Sequence, residues 1–307
     1  MPNNWEEINE RLVRPRPSLS PSKFSNGKFR KFKRADTHAS KEQPVTTLVI
    51  PIIEGDIVDP KCAGGGYVFG NLAHLTDGTL AQAKPDYFYG ARPEQLNRQI
   101  RKELSERIIP STQDDLPMAP NFSLEAKGPG GSLAVVTRQA CYDGALGARG
   151  IHSLQSYQKD GPTYDSNTYT ITSTYHGGQL KLYATHLAEP NGPGCRPEYY
   201  MTQLNGWCMS GNLETFRQGA AAYRNTRDWA KEKRDEFIRA ANECTQRLNL
   251  SFIIQHLSAR RLPRHPLPWT TLIHRHCLTK RSIRMRNGAS QLRLEMWEKS
   301  LRYFRKN

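Results

Sequence analysis

Long hydrophobic runs are absent from the sequence, in which hydrophobic residues make up 37% of 307 positions and proline occurs 20 times. No stretch approaches the roughly 18 apolar residues that a membrane-spanning helix needs, so no membrane partner is predicted. The first residues, M-P-N-N-W-E-E, lack the basic and then apolar pattern of a secretory signal. We therefore expect an intracellular protein, nuclear or cytoplasmic, and leave its oligomeric state open.

Motifs of several enzyme classes are also missing. The six cysteines include no C-x-x-C pair, so we expect isolated thiols rather than disulfides or a metal centre. No G-x-S-x-G turn supports a serine hydrolase. The loop Gly64-Gly65-Gly66 has no Lys-Ser/Thr ending, which argues against a phosphate-binding loop and favours a simple turn. His152, His176 and His186 are too far apart in sequence to nominate a metal site.

Acidic residues are scarce at the two ends of the chain, and this explains the net charge of +15. Residues 245–307 carry 14 Lys and Arg against 2 acids, and residues 1–43 carry 10 against 5, whereas the middle of the chain is nearly neutral. The densest N-terminal patch contains Arg30, Lys31, Lys33 and Arg34. This patch is interpreted either as a solvated helix face or as a nuclear-import or nucleic-acid-binding surface that contacts phosphates.

Hydrophobic periodicity predicts an α/β fold, a mixed central sheet flanked by helices, in one domain over residues 22–243. Residues 1–21 read as a flexible lead-in after a short helix around Trp5–Val13. The basic and poorly patterned residues 244–307 are either a nucleic-acid-binding tail or a non-native, disordered extension. Further helices are predicted at about 20–40, 93–109, 137–146 and 213–241, and strands at 45–53, 121–127, 168–175 and 179–185, the last two as a hairpin.

The strand at 121–127 carries the residues with the most chemical potential. Phe122, Leu124 and Ala126 alternate with polar positions, so Glu125 and Lys127 are expected to point together to the opposite, solvated face. Asp86 lies upstream behind a proline, in an extended aromatic segment, and Gln139 follows in a helix. The pair Glu125 and Lys127 is either an ordinary surface ion pair or part of a site with these two residues.

This ordered set resembles the PD-(D/E)XK nuclease superfamily. The resemblance implies that Asp86 and Glu125 bind a divalent metal such as Mg²⁺, that Lys127 orients the attacking water, and that Gln139 is an accessory catalytic group. Asp114 or Asp115 competes with Asp86 for the acidic role. The family's glutamate in the first helix has only weak candidates here, Glu42 and Glu54, and the tyrosine expected after Gln139 is only roughly matched by Tyr142.

A second resemblance covers residues 10–243. The segments I-P-I-I-E-G-D (50–56), P-D-Y-F-Y-G-A-R-P-E-Q-L (85–96) and R-Q-A-C-Y-D-G-A-L-G-A-R-G (138–150) are similar to a family of predicted proteins from filamentous fungi, which brings no established activity. The combined expectation is a metal-dependent hydrolase that acts on phosphodiesters, or a protein derived from such a nuclease. The alternative is a catalytically inactive module of the same fold that binds nucleic acid or protein.

Overall fold

The computed structural model describes residues 1–113, 115–192 and 194–260, without the side chains of residues 249 and 251–260. The chain divides into two compact units, of which the larger comprises Met1–Glu189 and Pro197–Phe252. The smaller unit consists of Pro190–Arg196 and Ile253–Asn307, most of which lies outside the described residues. The sheet and the candidate site both belong to the larger unit.

In the described part of the chain, six strands form a single sheet in the order β1-β2-β3-β4-β5-β6. Every neighbouring pair is antiparallel except β3 and β4, which run parallel, so the expectation of an α/β fold with a mixed sheet is confirmed. The strands are β1 (Ala63–Gly64), β2 (Tyr87–Ala91), β3 (Met118–Lys127), β4 (Thr168–His176), β5 (Gln179–Ala188) and β6 (Glu198–Cys208). The hairpin predicted from the second half of the chain is β4 and β5, whereas β6 was not predicted.

Helices flank this sheet. They are α1 (Trp5–Leu12), α2 (Asn26–His38), α3 (Glu42–Pro44), α4 (Ile50–Glu54), α5 (Arg98–Glu103), α6 (Ser105–Ile108), α7 (Leu133–Gln155) and α8 (Leu213–Arg260). Because parallel strands need a crossover connection, α7 carries the chain from the end of β3 back to the start of β4. Within the described part of the chain, no helix is long and apolar enough to cross a membrane.

The strand predicted at 45–53 is wrong. Residues Val45–Val49 form a π-helical turn that leads directly into α4. Val45, Val49 and Ile53 recur at intervals of four and are all buried, which is a helical rather than an extended period. The helix predicted at 93–109 is likewise broken into a 3-10 turn and the short helices α5 and α6.

One face of the sheet packs on a large apolar cluster. Phe122, Leu124 and Tyr175 lie in the same cluster as Phe32 of α2 and Phe216 of α8. The rings of Phe32 and Phe216 are 4.5 Å apart between centroids, and Tyr175 donates a hydrogen bond from its hydroxyl to Asp36 Oδ1 at 2.6 Å. The N-terminal helices and α8 therefore cover this face of β3 and β4.

The opposite face of the sheet is covered by α7, at very short range. A Cβ atom at Gly147 would lie 2.8 Å from the Pro120 carbonyl oxygen and 2.9 Å from Thr170 Cγ2. A Cβ atom at Gly144 would collide with Thr185 Oγ1 and lie 3.2 Å from Thr172 Cγ2. Glycine at these two positions lets the backbone of α7 lie directly on the side chains of β4 and β5.

This contact corrects the expectation that Glu125 and Lys127 face solvent. Both faces of β3 are buried, and Glu125 is only 1% exposed. The alternation of polar and apolar residues along β3 is real, but its polar face lies under α7 rather than in water.

Replacement of Gly147 by alanine tests the close packing of α7. An exposed helical glycine gains up to about 1 kcal/mol on conversion to alanine, but here the added methyl group meets backbone. We expect Gly147→Ala to lower the free energy of unfolding by about 1–3 kcal/mol in urea titrations. Gly161→Ala, where a Cβ atom meets nothing within 4 Å, is the control. A stabilised Gly147→Ala variant would show that the helix lies farther from the sheet.

Candidate active site

A pair of buried carboxyl groups lies where α7 crosses β3. Glu125 of β3 and Asp143 of α7 are 1% and 5% exposed, and their side chains share a hydrogen bond. Glu125 Oε1 and Asp143 Oδ2 are also buried, and neither has a hydrogen-bond partner within the described residues. Burial and the repulsion between two neighbouring carboxylates both favour a form of the pair that keeps a proton.

The electrostatic surroundings of Glu125 and Asp143 raise the pKa values of both carboxyl groups. Burial is the main cause that raises the pKa of Glu125, and the charges of Asp143 and Asp86 raise it further against an opposing effect of Lys127. Burial also raises the pKa of Asp143, although its hydrogen bond with Glu125 works in the opposite direction. The pair therefore retains a proton at pH values where an exposed glutamate or aspartate is fully ionised.

Asp86 lies at the start of β2, beside this pair. The register Tyr87↔Leu124 places Asp86 next to the position of Glu125 on the neighbouring strand. Asp86 Oδ2 accepts a hydrogen bond from the Ala126 backbone N–H at 2.7 Å, and burial raises the pKa of Asp86. The loop that contains Gly65 packs against the backbone of Asp86. Only glycine permits this contact, because a Cβ atom at Gly65 would collide with the Asp86 carbonyl oxygen.

Lys127 makes an ion pair with Glu42 instead of Glu125. Its Nζ lies 2.6 Å from Glu42 Oε2, and the lysine side chain is only 16% exposed. Gly128 permits this contact, since a Cβ atom there would lie 2.7 Å from the Lys41 carbonyl carbon. Of the two weak candidates for the first-helix glutamate, only Glu42 reaches Lys127. Glu54 is buried beside Arg224 and Arg227, with its pKa raised to about 7 mainly by burial.

Gln139 lies one helical turn before Asp143 on α7. Its side chain is half-buried, and its Oε1 is buried with no hydrogen-bond partner among the residues described. Tyr142 packs instead against the apolar cluster that contains Phe69, and burial raises its pKa. Asp115 is exposed in a loop, and Asp114 lies outside the described residues.

The four basic residues of the N-terminal patch share one exposed face of α2. All four are exposed, while Phe29 and Phe32 on the same helix are buried in the core. Arg30, Lys31, Lys33 and Arg34 form no ion pair with any described residue. Lys33 Nζ also lies 6.0 Å from the centroid of the Phe29 ring. All four charged groups remain on the solvent side of the helix, where an anionic partner can contact them.

The oxygen-rich composition of the site suits a hard cation such as Mg²⁺, which prefers carboxylate and carbonyl oxygens and retains several waters. Glu125, Asp143 and Gln139 each present a buried oxygen without a partner in the described part of the chain. Among the described residues, no three or more His, Cys, Asp or Glu side chains are already gathered as a metal-binding group. The residue types thus fit such an ion, and the hydrogen-bonded pair would have to part from its proton to bind it.

No protein-family model, curated protein or solved structure matches this chain.

Asp143 is the residue that the sequence pattern missed. The helix containing it was predicted, and Asp143 follows Gln139 by four residues, which places the two on one helix face. The available signal was an aspartate followed by Gly144 and Gly147 in a helix, because glycines on one helix face allow close packing and charged residues are rarely buried without a partner.

The pH dependence of stability tests the protonated pair. The folded state keeps protons that unfolded carboxyl groups release above their ordinary pKa values of 4.5 and 3.8, so the free energy of unfolding should fall as pH rises. We expect a fall of about 1–3 kcal/mol between roughly pH 5 and pH 8 in urea titrations, and a shallower fall in Glu125→Gln. The control is the exposed acid replacement Asp160→Asn, which should retain the wild-type slope. Equal slopes in Glu125→Gln and wild type would contradict the pair.

Proposed function

We propose that this protein is a metal-dependent phosphodiester hydrolase, a nuclease of the PD-(D/E)XK type. The observation that carries the proposal is the convergence of separate chain segments on the end of β3. Asp86 precedes β2, Glu125 and Lys127 lie on β3, and Glu42 reaches Lys127 from α3. The sequence order of these groups, with Gln139 following on α7, is the order of the pattern.

The residues that would hold the ion are Asp86 and Glu125, together with the backbone carbonyl of Ala126. When bound there, Mg²⁺ would supply an acidified water and a positive charge that offsets the charge of the phosphate. Metal binding would require Glu125 to release the proton that it shares with Asp143, because a carboxylate must be ionised to act as a ligand.

Lys127 supplies a fixed positive charge. Its Nζ lies 2.6 Å from Glu42 Oε2, and the side chain of Lys127 is mostly buried. The ion pair and the burial together restrict the position of the ammonium group. From there the ammonium group would orient the attacking water and offset the negative charge that grows on the phosphate oxygens. The water oxygen would form the new bond to phosphorus as the bond to the leaving oxygen breaks. The proton that the water gives up passes to solvent, and the leaving oxygen takes up a proton from solvent.

The exposed face of α2 offers a second contact with the substrate. Arg30, Lys31, Lys33 and Arg34 can each neutralise a backbone phosphate, whereas the carboxyl-rich site itself repels anions. In this proposal the basic face contributes affinity and the carboxyl site contributes chemistry. The sequence of the nucleic acid is not read by either group.

A catalytically inactive module of the same fold is the second candidate, and a specific observation favours it. Lys127 is engaged by Glu42, and Glu125 is held in its protonated form by Asp143 and burial. A protein that retained this arrangement permanently would bind nucleic acid or protein without cutting it.

Cleavage assays separate the two candidates. Labelled single- and double-stranded DNA and RNA would be incubated with protein and Mg²⁺, and cleavage quantified on gels. We expect Glu125→Gln and Lys127→Ala to slow cleavage about 10²–10⁴-fold, because each removes a group that acts on the reacting atoms. The matched controls Asp160→Asn and Lys159→Met replace exposed residues and should cleave at the wild-type rate. Equal cleavage by all variants would identify a contaminant, and no cleavage by wild type would support the inactive module.

The salt dependence of nucleic-acid binding tests the role of α2. Replacement of Arg30, Lys31, Lys33 and Arg34 by glutamine should reduce the slope of log K against log salt by about 0.9 for each phosphate that the variant no longer neutralises. Fluorescence anisotropy with a labelled duplex at several salt concentrations measures this slope, with the exposed Lys102→Gln as a single-charge control. An unchanged slope here, together with loss of binding on removal of residues 261–307, would place the affinity in the C-terminal part.

A further inference from the structure

Asp143 occupies a position that the fold enforces. It precedes Gly144, whose backbone is pressed against Thr185 and Thr172, and Gly147 continues the contact one turn later. A helix held this close to the sheet cannot turn Asp143 away from Glu125 without breaking both contacts. The meeting of these two carboxyl groups is therefore a consequence of how the domain packs.

Each acid of the pair has one buried oxygen that no donor in the described chain reaches. Buried acids in folded proteins are normally satisfied by hydrogen-bond donors or by a counter-charge. Here Glu125 Oε1 and Asp143 Oδ2 have no partner in the described chain, and the Thr172 and Thr185 hydroxyls at the Gly144 contact are also unpartnered.

The balance of charge around the pair is negative. Asp86 lies opposite Glu125 in the antiparallel register of β2 and β3, and its Oδ2 is fixed there by the Ala126 N–H at 2.7 Å. Lys127 lies two residues along β3 from Glu125, and its ammonium group is already paired with Glu42. Three acidic side chains thus lie near the end of β3 without being gathered as a metal-binding group, and the lysine beside them is engaged by Glu42.

We propose that Asp143 is a ligand of the divalent cation at this centre, alongside Glu125 and Asp86. This inference rests on the proposed function for the existence of the cation, and it adds a helix-borne carboxylate that the sequence pattern does not contain. The donors are all oxygens, which selects a hard ion of the Mg²⁺ or Mn²⁺ class over a thiophilic one.

Calorimetric titration of the full chain with Mn²⁺ tests the ligand role directly. We expect Asp143→Asn to weaken Mn²⁺ binding at least about tenfold. Loss of a metal ligand, or of a group that orients a ligand, typically has an effect of this size. Asp160→Asn should bind Mn²⁺ with wild-type affinity. Asparagine keeps the size of the side chain and can still hydrogen-bond Glu125, so circular dichroism should show a folded variant. If that variant does not fold, Asp143→Ser removes the carboxylate without adding volume and replaces it in the titration.

Mn²⁺ binding and nucleic-acid cleavage are measured in separate experiments, so the ligand role of Asp143 and the nuclease activity can be rejected independently. Wild-type affinity for Mn²⁺ in Asp143→Asn would overturn the ligand role even if the wild type cleaves nucleic acid. Loss of binding in the variant, with no cleavage by the wild type, would support the ligand role and reject the nuclease. A wild type that binds neither Mn²⁺ nor Mg²⁺ would overturn the ligand role.

Discussion

The close approach of α7 to the sheet is the constraint on which the candidate site depends. Gly144 and Gly147 allow the helix backbone to lie on Thr185, Thr170 and Pro120, where any side chain would hold it away. That approach buries the polar face of β3 and brings Asp143 against Glu125. A pair of acids that would be ordinary on a solvated strand thereby becomes a proton-sharing pair in a water-poor interior.

Two further glycines also allow backbone segments to approach each other closely at this site. Gly65 lets its loop lie against the carbonyl of Asp86, and Gly128 lets the segment before α3 lie against the end of β3. The first contact supports Asp86, whose carboxylate is bound to the Ala126 N–H, and the second brings Glu42 to Lys127. Close backbone approach thus gathers groups from four distant segments, while the apolar face of the sheet supplies the stability through Phe122, Phe32 and Phe216.

Much of this fold could be predicted from the sequence. The β4–β5 hairpin and β3 followed from alternation, and α8 and α1 from helical spacing, because these signals are local. Alternation could not show whether the polar face of β3 meets water or a glycine-rich helix, so the exposure of Glu125 was misjudged. Asp143 was missed for the same reason, and residues 45–53 were misread because an apolar run fits a buried helix as well as a strand.

The candidate site requires that Glu125 and Asp143 share a proton and that a divalent cation displaces this proton. Carboxyl ¹³C NMR of selectively labelled protein, recorded against pH with and without Mg²⁺, observes both directly. Without Mg²⁺, the two carboxyl signals should titrate together and well above the ordinary range for exposed acids. At neutral pH, Mg²⁺ should move both signals to their ionised positions. Independent titration of each group near its ordinary pKa, unaffected by Mg²⁺, would contradict the account.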